Sequence, residues 1–236
     1  CNRLGYENLD REIIDVMTEE WSQFVIDVWK PSNIDGDKLG SQLKNGEVIS
    51  PPGFKEAWRQ TVESGWLQAV CKEEHGGMEL PLFFRNAMDE PAISCNMAIS
   101  VVAALSLGVY DIISGHASQE NIDRYAAKIG SGEWCGTMCL TEPHCGTDLG
   151  LIKTKAIPQE DGTYSITGTK IFITAGDHDL SENIVHMVLA KLPDAPEGSK
   201  GISLFLVPKY LSEGEELSSE KNGTSISGIE DKMGLH

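Results

Sequence analysis

The chain has 236 residues, 40% of them hydrophobic, enough to bury the core of one large domain or two smaller ones and too many for global disorder. With 19 basic against 36 acidic side chains its formal charge is -17, a surface that repels phosphate backbones and anionic membranes. No nucleic-acid partner is expected.

The N-terminus, CNRLGYENLD, has no basic start followed by an apolar stretch as in a secretory signal. Ile13, Ile14, Met17, Trp21, Phe24, Val25 and Val28 then recur every three and four residues, the period of an amphipathic helix. Pro51 and Pro52 precede a second helical run over 54–70, with Trp58, Val62, Trp66 and Val70 on one stripe. The apolar segment 81–114 suits helices buried among helices. Its longest uninterrupted run, 97–107 (MAISVVAALSL), is shorter than the roughly 20 residues that span a bilayer, so no membrane insertion is expected. Ser118 is a natural N-cap for a helix over 119–129, with Gly130 placed as its C-cap. The expectation is an all-α helical bundle over residues 1–132.

Beyond Gly132 the period changes to two. Strands are predicted over 152–157, 163–166, 169–174, 184–192 and 201–207, with Asp161-Gly162 turning between the first two. None of the gaps holds a crossover helix, which predicts an antiparallel barrel or sandwich over 133–236. From 212 to 231 the chain is rich in Ser, Gly and Glu and reads as a loop or edge excursion. The sequence stops at KMGLH without a closing element, so we expect a longer protein to continue past His236. The fold class is α+β.

The six cysteines (Cys1, Cys71, Cys95, Cys135, Cys139, Cys145) form no CxxC pair and read as reduced thiols in a cytoplasm. The stretch with the densest chemistry is TEPHCGTDLG, 141–150. Zinc on Cys135, Cys139, His144 and Cys145 is not expected, since Cys135 and Cys139 on one strand face would stand about 13 Å apart at roughly 3.3 Å per residue. A Cys145–His144 nucleophile pair is disfavoured because neighbours in an extended segment point apart. Glu142 could be a general base, but a carboxylate before proline more often shapes a turn, and no second acid sits at a matching spacing. The glycines of GSGEWCG (130–136) follow a helix and precede a strand, the reverse of a dinucleotide fingerprint. A small-residue loop remains, in which backbone N–H groups and the Thr147 hydroxyl could meet an anion.

TEPHCGTD, followed by KTKA and then GTKIFIT, resembles the acyl-CoA dehydrogenase family, in which two such segments bracket a flavin. CKEEHGGMELP (71–81) and GHASQENIDRYAAKIGSGEWCGTMCLTEP (115–143) extend the resemblance over residues 65–236. It implies an N-terminal helical domain, a middle β-domain and a C-terminal four-helix domain absent here. It implies FAD as cofactor, held by Met138, Leu140, Thr141, Gly146, Thr147, Phe172, Ile173 and Thr174. In that scheme backbone groups around Leu140 and Thr141 meet the pyrimidine edge, and the Thr141 and Thr174 hydroxyls donate near O4 and N5. Gly146 and Thr147 face the pyrophosphate, Thr147 also touches the acyl-CoA substrate, and Phe172 packs on the ring where most relatives have Trp. Cys145 stands where Ala is usual and Thr147 where Ser is common.

The implied reaction is α,β-dehydrogenation of an acyl-CoA thioester, a step of fatty acid metabolism. The resemblance implies that the proton-abstracting glutamate lies downstream of His236, so no catalytic residue is expected in this chain and the fragment alone is expected to be inactive. The implied partners are an electron-transfer flavoprotein as acceptor and further copies in a homodimer or homotetramer. GTDLG-x-IKTKA, AGDHDLSENIVHMVLAKLPDAP and KGISLFLVPK resemble the branch that includes 3-methylmercaptopropionyl-CoA dehydrogenase. An acyl-CoA oxidase, a flavin monooxygenase or a DNA-associated relative on the same scaffold stay open alternatives.

Overall fold

The computed structural model describes residues 6, 9–213, 216–232 and 234. Cys1 and the terminal His236 lie outside them.

The chain opens with helix α1 (Arg11–Val28), whose N-cap Asp10 accepts a 2.9 Å bond from the Ile13 N–H. Helix α2 (Lys30–Leu39) follows, with Pro31 in its first turn, where the missing N–H costs nothing. A short hairpin comes next, β1 (Gln42–Lys44) and β2 (Glu47–Ile49), turned by Asn45 and Gly46 at φ 53 and 81. Asn-Gly is the signature of such a turn, and the sequence reading passed over it. Helix α3 (Phe54–Ser64) ends at Gly65 and a 3-10 turn, Trp66–Val70, so the long run expected over 54–70 is two pieces.

The apolar stretch 81–114 divides into α4 (Leu82–Cys95) and α5 (Met97–His116). Asn96 makes the break. Its extended backbone leaves the helix, its side-chain oxygen caps the Ile99 N–H at 3.1 Å, and its amide donates to Ser32 Oγ at 3.2 Å. At 20 residues α5 is long and apolar enough to cross a membrane, which corrects the reading of that stretch as too short. It is nevertheless packed as a core helix, burying Ile99, Val102, Ala103, Leu107, Val109, Tyr110 and Ile113. Helix α6 (Gln119–Ser131) is capped by Ser118 as expected. Its C-cap is Gly132 at φ 85; Gly130 lies inside the helix against Cys71 and Tyr110.

Three tryptophans centre the helical core, and each indole N–H has an acceptor: Trp21 on Met88 C=O at 2.7 Å, Trp29 on Thr61 Oγ1 at 2.8 Å and Trp58 on Gly132 C=O at 2.9 Å. Large buried rings with satisfied polar ends fix the helices' relative positions as well as burying area.

The sheet begins with β3 (Trp134–Cys139), then β4 (Lys155–Pro158), β5 (Tyr164–Thr167), β6 (Asn183–Lys191) and β7 (Ile202–Pro208). Its order is β3-β6-β4-β5, with β7 also on β6. The central β6 is almost wholly buried. Its pairings with β7 and that of β4 with β5 are antiparallel, but β3 and β4 both run parallel to it. The sheet is therefore mixed, a correction to the antiparallel expectation. A parallel return needs a long connection and only usually a helix. Here residues 140–182 supply it as loop and hairpin. A second, two-stranded sheet of β8 (Tyr210–Glu213) and β9 (Glu216–Lys221) fills part of the segment read as an edge excursion.

Gly136 lets β3 lie close on α5: a Cβ there would come within 2.5 Å of Val109 Cβ, and its N–H donates to Ser106 Oγ at 3.0 Å. The C-terminal end of β3 thereby delivers the TEPHCGTD loop next to the sheet.

Candidate functional site

Past Cys139 the chain leaves the ladder and turns. Glu142 and Cys145 exchange backbone bonds of 2.8 and 3.0 Å, closing a tight loop over Pro143 and His144. The segment is thus a turn, which overturns the premise that His144 and Cys145 sit in extended chain. Donor atoms of Glu142, His144 and Cys145 lie within 4.8 Å of one another, yet His144 Nε2 is already 2.9 Å from the Leu151 carbonyl.

Glu142 itself is 3% exposed. Its carboxylate accepts from the Lys153 N–H at 2.7 Å, the Thr154 N–H at 3.0 Å, the Thr154 hydroxyl at 2.5 Å and Lys170 Nζ at 3.0 Å. Burial alone raises its pKa, but the bonds from Thr154, Lys153 and Lys170 outweigh that and hold it at about 2. A carboxylate so firmly ionised and so fully bonded shapes the turn and is unsuited to take up a proton. The Glu142 oxygen that faces His144, Oε2 at 3.6 Å, already accepts the Lys153 N–H at 2.7 Å.

The second segment does not form the strand expected over 169–174. Residues 168–171 lie outside any ladder; the backbone then turns left-handed at Phe172 (φ 55) and again at Ala175 (φ 53), and Gly176 N–H closes on Ile173 C=O at 3.0 Å. Positive φ in an aromatic residue costs on the order of 1–3 kcal/mol and persists only where its surroundings enforce it. Phe172 is 44% exposed, with Lys232 Nζ 4.9 Å from its ring centroid. Gly168 lets the start of this segment lie close on Thr154: a Cβ there would come within 2.2 Å of Thr154 Oγ1.

Both segments meet. The Ile171 N–H donates to Thr141 C=O at 2.9 Å, and Lys170 Nζ donates to Leu140 C=O at 3.0 Å. Met138, Leu140 and Thr141 are half-buried at the strand end, Gly146 and Thr147 are exposed on the loop, and Ile173 and Thr174 follow Phe172 on the turn. Among the described residues the hydroxyls of Thr141, Thr147 and Thr174 make no hydrogen bond. Phe172, Ile173 and Thr174 line an open cleft of about 1800 Å³ together with Cys139 and Lys170; the 140–147 loop lies outside that lining.

With that geometry in place, residues 44–133 match the family description "Acyl-CoA dehydrogenase, N-terminal domain" and residues 137–236 match "Acyl-CoA dehydrogenase, middle domain". The chain belongs to the acyl-CoA dehydrogenase family. It is 43% identical over 98% of its length to the 3-methylmercaptopropionyl-CoA dehydrogenase of Ruegeria pomeroyi and 38% identical over 89% to a butyryl-CoA dehydrogenase of Syntrophomonas wolfei. It spans 39% and 35% of those relatives. The crystal structure of an acyl-CoA dehydrogenase from Geobacillus kaustophilus superposes with a TM-score of 0.68 at 25% identity, over 85% of this chain and 49% of that one. Family membership accounts for the helical half followed by a sheet.

Sequence reasoning assigned no role to Lys170, Thr154 or Glu142 as a linked set, although KTKA and GTKIFIT contain two of them. It read His178 and His186 as ordinary surface or satisfied core histidines, and it passed over Asp177 and Asp179. The Asp179 carboxylate accepts from the Ser50 N–H at 2.9 Å and pairs with Lys55 at 3.0 Å, while Asp177 pairs with Lys209 at 2.5 Å. His186 Nδ1 is 2.7 Å from the Thr137 hydroxyl, across the β3–β6 pair. The sequence signal was the acidic spacing of GDHD, which only the partners' positions make readable.

Proposed function

We propose that the intact protein catalyses FAD-dependent α,β-dehydrogenation of an acyl-CoA thioester. The observation that carries this reading is the junction of the two motif segments through the Ile171–Thr141 bond. It joins the strand end that carries Thr141 and leads into the small-residue loop to the segment that carries Thr174 and the exposed aromatic Phe172. The Thr141 and Thr174 hydroxyls have no protein partner among the described residues. That donor set suits an isoalloxazine with a pyrophosphate tail, and acyl-CoA substrates are named for the relatives from Ruegeria pomeroyi and Syntrophomonas wolfei.

In this reading residues 1–132 form the helical domain and residues 133–236 the flavin-binding one. Leu140 and Thr141 offer backbone groups to the pyrimidine edge. The Thr141 and Thr174 hydroxyls stabilise charge arriving on the ring, an electrostatic role prepared before reaction. Gly146 and Thr147 approach the pyrophosphate, Thr147 also approaching the acyl-CoA; Met138 and Ile173 wall the ring and Phe172 packs on it. FAD, when bound, supplies the acceptor for the β-hydrogen that leaves as hydride. The base in this reading is a glutamate outside residues 1–236, so those residues alone should turn over no acyl-CoA. The acceptor we propose is an electron-transfer flavoprotein, the assembly a homodimer or homotetramer. The buried free thiols Cys71, Cys95, Cys135, Cys139 and Cys145 support a reducing, cytoplasmic setting.

The test is anaerobic titration of the intact protein with 3-methylmercaptopropionyl-CoA and butyryl-CoA. Bleaching of the visible flavin bands is the expected result; a flavin that stays oxidised with both thioesters contradicts the proposal. Rapid reoxidation of the bleached protein by air would identify an oxidase instead.

A further inference from the structure

We infer that Lys170 and Glu142 are positioning residues that aim the Thr141 backbone N–H at the bound flavin; this rests on the flavin reading proposed above. Lys170 spends its charge inside the protein, its side chain only 10% exposed. One of its two contacts is the Leu140 carbonyl and the other is Glu142 Oε1, both at 3.0 Å. A trans peptide is planar, so the N–H on the far side of a carbonyl points the opposite way. Holding the Leu140 carbonyl toward Lys170 therefore turns the Thr141 N–H away from it. The next peptide shows the same logic completed: Thr141 C=O takes the Ile171 N–H at 2.9 Å, and the Glu142 N–H on its other side takes Cys145 C=O at 2.8 Å. Among the described residues the Thr141 N–H has no such acceptor. It is a donor directed by its neighbours and left for a ligand.

Glu142 holds Lys170 in place and is itself pinned by Lys153 and Thr154, eleven and twelve residues further on. A buried ion pair is a weak source of stability, because desolvating both charges offsets their attraction. Its value here is geometrical, since four donors converging on one carboxylate leave the loop a single arrangement.

The experiment measures FAD affinity, flavin absorption and thermal melting of the intact protein. Lys170→Met and Glu142→Gln should each weaken FAD by about ten- to a hundredfold, the range in which outer partners tune a ligand site. They should also shift the flavin bands, and Lys170→Arg, which keeps a donor, should restore much of the affinity. The double variant Lys170→Met/Glu142→Leu replaces the pair with apolar groups, should fold, and should still bind FAD weakly. Wild-type affinity and spectrum in Lys170→Met or in the folded double variant would overturn the inference while leaving the flavin reading intact. Wild-type protein that binds no FAD would instead sink the flavin reading.

Discussion

Glu142 and Phe172 illustrate two ways a single residue departs from what its type prefers. Glu142 is a buried charge made tolerable by its donors, so it stabilises the fold only while ionised. Its folded-state pKa of about 2 lies below the ordinary 4.5, so the stability it contributes is present above 4.5 and is lost as pH falls toward 2. Glu142→Gln should flatten that part of the curve: melting temperatures of variant and wild type should converge between pH 4.5 and 2, after differing at pH 7. An unchanged gap throughout would contradict the assignment. Phe172 is held at φ 55, a conformation glycine adopts without penalty. Phe172→Gly should therefore leave apo-protein melting unchanged or raised, by up to about 1–3 kcal/mol of relieved strain, while weakening FAD. A variant with lower apo stability and undiminished FAD binding would contradict both halves. At this scale the turn role of Glu142 was legible from the proline after it. The partnership with Lys170 was not, because a contact across 28 residues leaves no local pattern.

The elements were read best where one period ran long. The amphipathic spacing of α1, the Ser118 cap of α6 and the strands β6 and β7 emerged within a residue or two of expectation. Errors arose where local pattern and tertiary demand parted. Thr169 to Thr174 alternates like a strand, yet it pairs through one bond to Thr141 and then turns left-handed at Phe172. Parallel pairing of β3 with β6 depends on where a long connection returns, which alternation does not encode. The β3–α5 contact was equally hidden, although it decides where the candidate site sits. Gly136 is its fulcrum, and Gly136→Val would drive a side chain into Val109. Overpacking of this kind costs about 1–3 kcal/mol, to be read as a lowered urea midpoint. A midpoint equal to wild type would show that β3 and α5 can part freely.

Across the whole molecule, the segment Asp177-His178-Asp179 ties the two halves together. Asp177 and Asp179 accept from the Val48 and Ser50 N–H groups beside the β1–β2 hairpin, and Lys55 and Lys209 neutralise them. His178 and His186 are buried within this network, and burial depresses both from 6.5 to about 4, partly offset by Asp177. Because the folded values are the lower ones, the unfolded chain holds more protons between those limits, and stability falls as pH drops from 6.5 to 4. Each histidine should account for a loss on the order of 3 kcal/mol. His178→Asn should remove its share of that slope, and a variant with the wild-type slope would contradict it.

The central claim is that two separated segments, at Leu140–Thr141 and at Phe172–Thr174, close on one flavin. The direct measurement is FAD bound per chain by the intact protein, compared with the double variant Thr141→Val/Thr174→Val. The account predicts stoichiometric FAD in the wild type and clearly weaker binding in the variant, with folding unchanged. Wild-type protein that takes up no flavin from excess FAD, or a variant that binds it equally well, would contradict the claim.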